Sequence, residues 1–421
     1  MDLLSTIVQP YAWGSATALP RLMGLPPTGE PQAELWMGAH PAAPSRVERG
    51  GVTITLDRVI TADPARELGA SVLRRFGPRL PFLLKLLAAD APLSLQVHPD
   101  AEQAAAGFAA ENARGVPPDA PHRNYRDGQH KPEMIVALTP FDGLCGFRSP
   151  AQCADLFDDL GVPALRPYAV TLRTAPEESA LRAVFTAFLA PGPGLLDAVT
   201  EAVARAAGRD GARRVDFAAY RAIARVHPGD AGLLPALMLR HVRLAPGEAL
   251  HLGAGVPHAY LSGLGVEVMA GSDNVLRCGL TTKHVDTDEL LGVVRFAAPP
   301  PRVLGPGPEG PAGEYVYPAP VDDFRLSRIT LRADGAPRSL GGDAPQIVLC
   351  TEGEALLTSA AATVRIGPGR AVYVPAGERA EVAGEGTVFR ATVPPEPAAA
   401  PSDPVPVPVP VPAPADPAAT G

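Results

Sequence analysis

The hydrophobic period of this chain changes twice along its length, and that double change limits the folds open to it. Up to about residue 150 the apolar segments are short, rich in aliphatic and β-branched residues, and interrupted by Pro and Gly, as at 52–56, 93–98 and 134–138. Such segments predict strands. From about 151 to 240 the spacing becomes helical: Thr174-Ala175-Pro176-Glu177 has the form of a capping box with an early proline, and Leu181, Val184, Phe185 and Phe188 follow on one helical face. Further helices are predicted over 195–207 and 217–226, with His241 closing the helical region before strands resume near 249–252. After a Gly/Pro-rich stretch, a second strand series is expected over 324–331, 346–350, 355–358, 364–366 and 371–374, separated by turn signals and holding no histidine. The expected organisation is therefore mainly β with an inserted α-helical subdomain. It has a β portion at 1–150, a helical insertion at 151–240, the rest of the first β unit at 241–300, and a second β domain at 314–394. A disordered Pro/Val/Ala-rich tail at 395–421 completes it.

Composition narrows the function classes. With 421 residues there is room for two to three domains. A net charge of -8 and a pI near 5.6 disfavour nucleic acid or an anionic lipid surface as partners. No uncharged apolar run approaches the ~20 residues of a membrane-spanning helix. The opening Met1-Asp2-Leu3-Leu4-Ser5 lacks the basic and apolar regions of a secretory signal, so a cytoplasmic protein is expected. Cys145, Cys153, Cys278 and Cys350 form no CxxC pair and are expected to be free, mostly buried thiols.

Of 37 basic residues only Lys85, Lys131 and Lys283 are lysine. Where arginine fills nearly every basic position, the remaining lysines mark sites that call for a compact ammonium. Near them stand the other candidates. The run Leu93-Ser94-Leu95-Gln96-Val97-His98 alternates, sending Ser94, Gln96 and His98 to one face. A glutamine oxygen and an imidazole nitrogen side by side suit a divalent metal, and the same pattern suits the polar outer face of an edge strand. In His130-Lys131-Pro132-Glu133 a carboxylate precedes an apolar strand and could be a third ligand. The run from Pro246 to Tyr260 has a turn, a strand and a turn that ends in His258, a fourth candidate. His251, mid-strand, competes with it and better suits a structural role. The segment 266–284 adds Glu267, Asp273, Arg277 and Lys283, a set suited to proton transfer and anion binding.

These residues also carry a family likeness. Tyr11-Ala12-Trp13-Gly14-Ser15, Glu34-Leu35-Trp36-Met37-Gly38-Ala39-His40-Pro41, Pro81-Phe82-Leu83-Leu84-Lys85, the Gln96/His98 strand, His130-Lys131-Pro132-Glu133, Phe141-Asp142-Gly143-Leu144-Cys145-Gly146-Phe147-Arg148, Pro257-His258-Ala259-Tyr260 and the segment 272–283 occur in order. Together they resemble the type I mannose-6-phosphate isomerases, the zinc-dependent phosphomannose isomerase family of the cupin superfamily, over roughly residues 8 to 290. The resemblance implies cupin-type jelly-roll barrels in a bicupin arrangement, with the second β domain a degenerate cupin that buttresses the catalytic barrel. It implies one zinc ion per chain held by Gln96, His98, Glu133 and His258, and a cleft lined by Trp13, Lys85, Ser94, Lys131, Tyr260, Glu267, Asp273, Arg277 and Lys283.

The activity it implies is interconversion of mannose 6-phosphate and fructose 6-phosphate through a cis-enediol. Glu267 is expected to act as base, Lys131 and Arg277 to stabilise the enediolate oxygen or assist ring opening, and Asp273 to orient Arg277. Arg277, Lys85 and Lys283 are candidates for holding the phosphate. The expected partner is a small-molecule hexose 6-phosphate, with no nucleic acid or membrane, and the chain is expected to work as a monomer. A cupin oxygenase and a non-catalytic sugar-phosphate-binding protein are the competing readings. Cys278, Thr282 and the Pro/Val tail depart from the family pattern without removing a candidate ligand.

Overall fold

Four short helices in the first 150 residues make this portion mixed rather than mainly β: Ala18–Leu22, Leu56–Ala62, Pro64–Phe76 and Ala101–Ala113. The computed structural model describes residues 1–307, 310 and 313–396, so from residue 397 the expected tail lies outside the described residues. The missed helices start on strong local signals. Asp63 caps Pro64–Phe76 by accepting from the Arg66 amide, and Asp100 with Gln103 forms a capping box at Ala101–Ala113. Thr55 ends the strand Val52–Thr55, and Leu56 turns inward as the first residue of a helix.

An 11-stranded antiparallel sheet positions the site. Its central member is the long strand His258–Ala270. The later half, from Gly263, pairs with Phe82–Ala89 on one side and with Glu133–Ala137 on the other. The earlier half pairs instead with Phe141–Phe147 and, at His258, with Leu95–Val97. The change of partners coincides with a register shift between Tyr260 and Ser262 and with Gly263 at φ 125. A side chain there would strike the ring of Phe141, so glycine lets the strand bend from one sheet portion into the other. Glu34–Met37 and Ile7–Gln9 extend the sheet beyond Phe82–Ala89.

Helices occupy 150–237, and strands resume at Leu239–Leu244, so His241 lies within a strand rather than at the end of a helix. Leu181, Val184, Phe185 and Phe188 are buried in a core shared with the strand residues Leu95, Val97 and Leu144. The expected capping box at Thr174 does not form, because Thr174 ends the preceding helix and its hydroxyl donates to the Val170 carbonyl.

An 8-stranded antiparallel sheet follows. The segments expected at 346–350 and 355–358 form one strand, Gln346–Ser359, with a register shift between Cys350 and Glu352. Its edge includes the start of the chain, since Asp2–Leu3 pairs with Ala371–Val374. One hydrophobic cluster joins the two sheets, with Leu35, Leu84 and Val266 from the first and Ile347, Leu349 and Tyr373 from the second. All four cysteines are free and buried. Among the described residues no helix is long and apolar enough to cross a membrane.

Candidate active site

His258 is the first residue of its strand, Glu133 is the first residue of the adjacent one, and His98 directly follows Leu95–Val97. These three bring one ligand atom each within 4.8 Å of one another, all buried. Each oxygen of Glu133 faces one imidazole, with Oε1 3.5 Å from His98 Nε2 and Oε2 3.5 Å from His258 Nε2. Donors on a tetrahedral zinc ion with bonds of about 2.0–2.1 Å are separated by about 3.3–3.4 Å, close to these spacings.

The two histidines are held ready for such a role. Nδ1 of His98 lies 2.8 Å from the Asn274 carbonyl, and Nδ1 of His258 lies 2.9 Å from the Val256 carbonyl. A carbonyl can only accept, so each Nδ1 carries the proton and each Nε2 offers a lone pair. His98 Nε2 is buried without a hydrogen-bond partner among the described residues, a costly state that a bound cation would relieve. Burial lowers the His98 pKa to about 4, which keeps the ring neutral. Gln96 stands opposite His258 in register and its amide nitrogen donates to Ser94 at 3.0 Å, which leaves the amide oxygen as the donor atom for a cation. His251 lies outside the ligand cluster. The residues present therefore fit a zinc ion.

Beside the ligands lies a cavity of about 770 Å³, and all three lysines line it. So do Trp13, Ser94, Tyr260, Glu267, Asp273 and Arg277. Every residue expected at the cleft thus reaches one chamber, though the pairings differ from those expected. Lys85 is buried between Glu267 (3.1 Å) and Glu34 (3.6 Å), over the ring of Trp36. Burial opposes its charge, but Glu267, Glu34 and Glu133 outweigh that and raise its pKa. Its ammonium is thus committed to carboxylates. Arg277 and Lys283 have no ion-pair partner among the described residues; burial lowers the pKa of each, as does the nearby charge of Arg126. Asp273 does not meet Arg277 and instead lies 3.4 Å from Nε2 of His40. Lys131 sits 3.4 Å from Glu133.

The two inner carboxylates differ. Burial disfavours the charge of Glu133, yet His98, Lys131 and His258 hold its pKa well below the usual range. Burial pushes Glu267 up, with Glu133 and Glu34 adding repulsion that Lys85 only partly offsets. Tyr260, whose hydroxyl is buried, is raised by burial and by the charges of Glu267 and Glu133. A buried carboxylate whose proton affinity is raised, next to a cation site and to basic groups without an ion-pair partner among the described residues, is suited to moving a proton on a bound anionic molecule.

Sequence reasoning assigned no role to Asn274, Asp127, Asp230, His40 or Glu34. Asn274 is fully buried; it accepts from the Arg126 amide and donates to the Asp127 and Gln129 carbonyls, which fixes the backbone that holds His98. Because its own contact with His98 is through a main-chain oxygen, no residue-type pattern could mark it.

Residues 1–150 match the catalytic domain of phosphomannose isomerase type I. Mannose-6-phosphate isomerase of Escherichia coli K12 is 40% identical over 398 residues, covering 93% of this chain and 99% of the relative. This chain belongs to the mannose-6-phosphate isomerase family. Among solved structures of that family, a mutant phosphomannose isomerase from Salmonella typhimurium superposes with a TM-score of 0.86 at 37% identity, covering 93% of this chain and 99% of that one. A zinc-bound mannose 6-phosphate isomerase gives a TM-score of 0.85 at 38% identity, with the same coverage.

Proposed function

We propose that this chain is a zinc-dependent aldose–ketose isomerase that interconverts mannose 6-phosphate and fructose 6-phosphate through a cis-enediol. The observation that carries the reading is the buried His98, Glu133 and His258 cluster beside the Glu267–Lys85 pair in a single cavity. Membership of the family and likeness to a zinc-bound relative support the same metal and reaction. The division into a catalytic cupin barrel interrupted by the helical insertion, followed by a degenerate cupin, belongs to the same proposal. The antiparallel sheets support it.

His98, Glu133 and His258, with Gln96 as fourth ligand, would hold zinc, which when bound supplies positive charge to orient and polarise the sugar oxygens O1 and O2. Glu267 takes the proton from C2 and returns one to C1. Its environment favours protonation more than an ordinary carboxylate's does, which makes it a better shuttle. Lys85 neutralises Glu267 while it is ionised and keeps it in place at 3.1 Å. Lys131 offsets charge developing on the enediolate oxygen. Arg277 and Lys283, without a carboxylate partner among the described residues, receive the phosphate, and Lys85 is excluded from that role because two acids already engage it. Trp13, Ser94 and Tyr260 shape the sugar-binding wall.

The reading is tested by supplying mannose 6-phosphate to the purified zinc-loaded chain and following fructose 6-phosphate with a coupled enzyme, with His258→Ala alongside. Turnover in the parent, and loss of both zinc and turnover in the variant, is the expected result. A folded, zinc-loaded parent without turnover would overturn the isomerase and favour a sugar-phosphate-binding protein.

A further inference from the structure

The loop that carries Lys283 into the cavity is anchored from outside the sheet. Asp230, just beyond the helix Arg214–Val226, places one carboxylate oxygen 2.9 Å from the Leu280 amide and the other 2.9 Å from the Thr281 amide. The first oxygen also accepts from the Gly232 amide at 2.7 Å. One carboxylate thus joins two backbone segments about 50 residues apart. The contact is close enough to exclude side chains: a Cβ on Gly232 would lie 2.6 Å from the Leu280 nitrogen, and one on Gly279 would meet the Gly232 backbone. Leu280 itself is the only non-glycine residue with positive φ among the described residues, at 58°. That conformation is unfavourable for leucine and persists only where the surroundings impose it. Asp230, Leu280, Thr281 and Lys283 all line the cavity.

We infer that Asp230 is a positioning residue for anion binding: it clamps the 279–283 loop to the helical insertion, so that Arg277 and Lys283 present their two positive charges to the substrate's phosphate. This rests on the isomerase reading for the identity of the substrate, though not for the presence of an anion site. Without the carboxylate, the Leu280 and Thr281 amides lose their acceptors and the strained turn is free to relax. Lys283, two residues beyond, then shifts from its place. The helical insertion thereby contributes to substrate affinity without supplying a reacting group.

The test compares the full-length zinc-loaded parent with Asp230→Ala and Asp230→Asn. For Asp230→Ala, KM for mannose 6-phosphate should rise about 10- to 100-fold while kcat changes much less, and zinc content should stay at the parent level. Inorganic phosphate, titrated calorimetrically, should bind more weakly by a similar factor. Asp230→Asn keeps an acceptor for Leu280 and Gly232 and should recover most of the affinity. Unchanged KM and phosphate binding in folded Asp230→Ala would overturn the inference, as would a joint loss of zinc, kcat and KM that Asp230→Asn does not relieve. Should Asp230→Ala fail to fold, Asp230→Asn decides: a few-fold weaker phosphate binding supports the clamp and none overturns it. If the parent lacks turnover, the isomerase reading fails by itself, while phosphate binding that weakens in the variants still supports the clamp. A parent that binds no phosphate overturns it.

Discussion

Glu133 and Glu267 lie on paired strands within one sheet, yet their surroundings push their proton affinities apart. Glu133, between two imidazoles and Lys131, stays ionised, whereas Glu267 is raised by burial and by its acidic neighbours. In the proposed mechanism such a division would separate a metal ligand from a proton shuttle. Glu267→Gln is therefore expected to retain zinc and lower kcat by about 10²- to 10⁴-fold, measured by steady-state kinetics with metal analysis; full activity would remove Glu267 as the base. Asn274→Ala is expected to weaken zinc binding by about 10- to 100-fold in a chelator competition, because the His98 Nδ1 proton loses a fixed acceptor. An unchanged affinity would show that the carbonyl is held without the side chain. The cluster of His98, Glu133 and His258 was legible in part: alternation set Gln96 and His98 on one face, and the family resemblance joined Glu133 and His258 to them. The partner of Asp273 was not: His40 is remote in sequence, and only the folded sheet brings the two to 3.4 Å.

Between the helix Arg214–Val226 and the strand Leu239–Leu244 sits a half-buried charge network, with Arg243 on its exposed side. His241 lies 3.0 Å from Asp142 and 3.4 Å from Asp216; Arg243 also faces Asp142, while Arg148 bonds Asp216 and Tyr220. Burial acts to lower the His241 pKa, but hydrogen bonds to both carboxylates outweigh it and the net shift is upward from 6.5. For Asp142 and Asp216 burial acts upward, and the bonds to His241 with the arginine charges bring the net shift below 3.8. A raised histidine stabilises the fold fully below its unfolded pKa and loses that contribution as pH rises through the folded value. The lowered carboxylates contribute above their unfolded pKa and lose it as pH falls through their folded values. The network should therefore stabilise the junction most between about pH 4 and pH 6.5. The Tm difference between the parent and His241→Gln should be largest near pH 5–6 and shrink toward pH 9; a gap independent of pH would contradict the assignment. At this scale the long amphipathic helices and most C-terminal strands could be read from periodicity. The helix Ala101–Ala113 could not, because its alanines mark no apolar face and its start depends on the Asp100 and Gln103 cap.

Across the whole molecule, the two sheets share one apolar cluster, and the first strand of the chain belongs to the second sheet. Tyr373 reinforces the junction by donating to the Glu67 carbonyl, and Tyr317 by donating to the Gly247 carbonyl. Neither sheet can lose its packing without exposing the other's, so calorimetry of the zinc-loaded chain should give one cooperative transition; two resolved transitions would contradict a shared core. The sequence order of strands suggested two β units but could not reveal this exchange, since Asp2 and Leu3 have no pattern that names a partner some 370 residues away. In the proposed mechanism His98, Glu133 and His258 hold the metal on which isomerisation of mannose 6-phosphate depends. The most direct measurement is turnover during removal of metal by a chelator and titration of zinc back into the folded chain. Activity that falls with zinc content and returns in proportion to it is the predicted result; full turnover in the metal-free protein would contradict the claim.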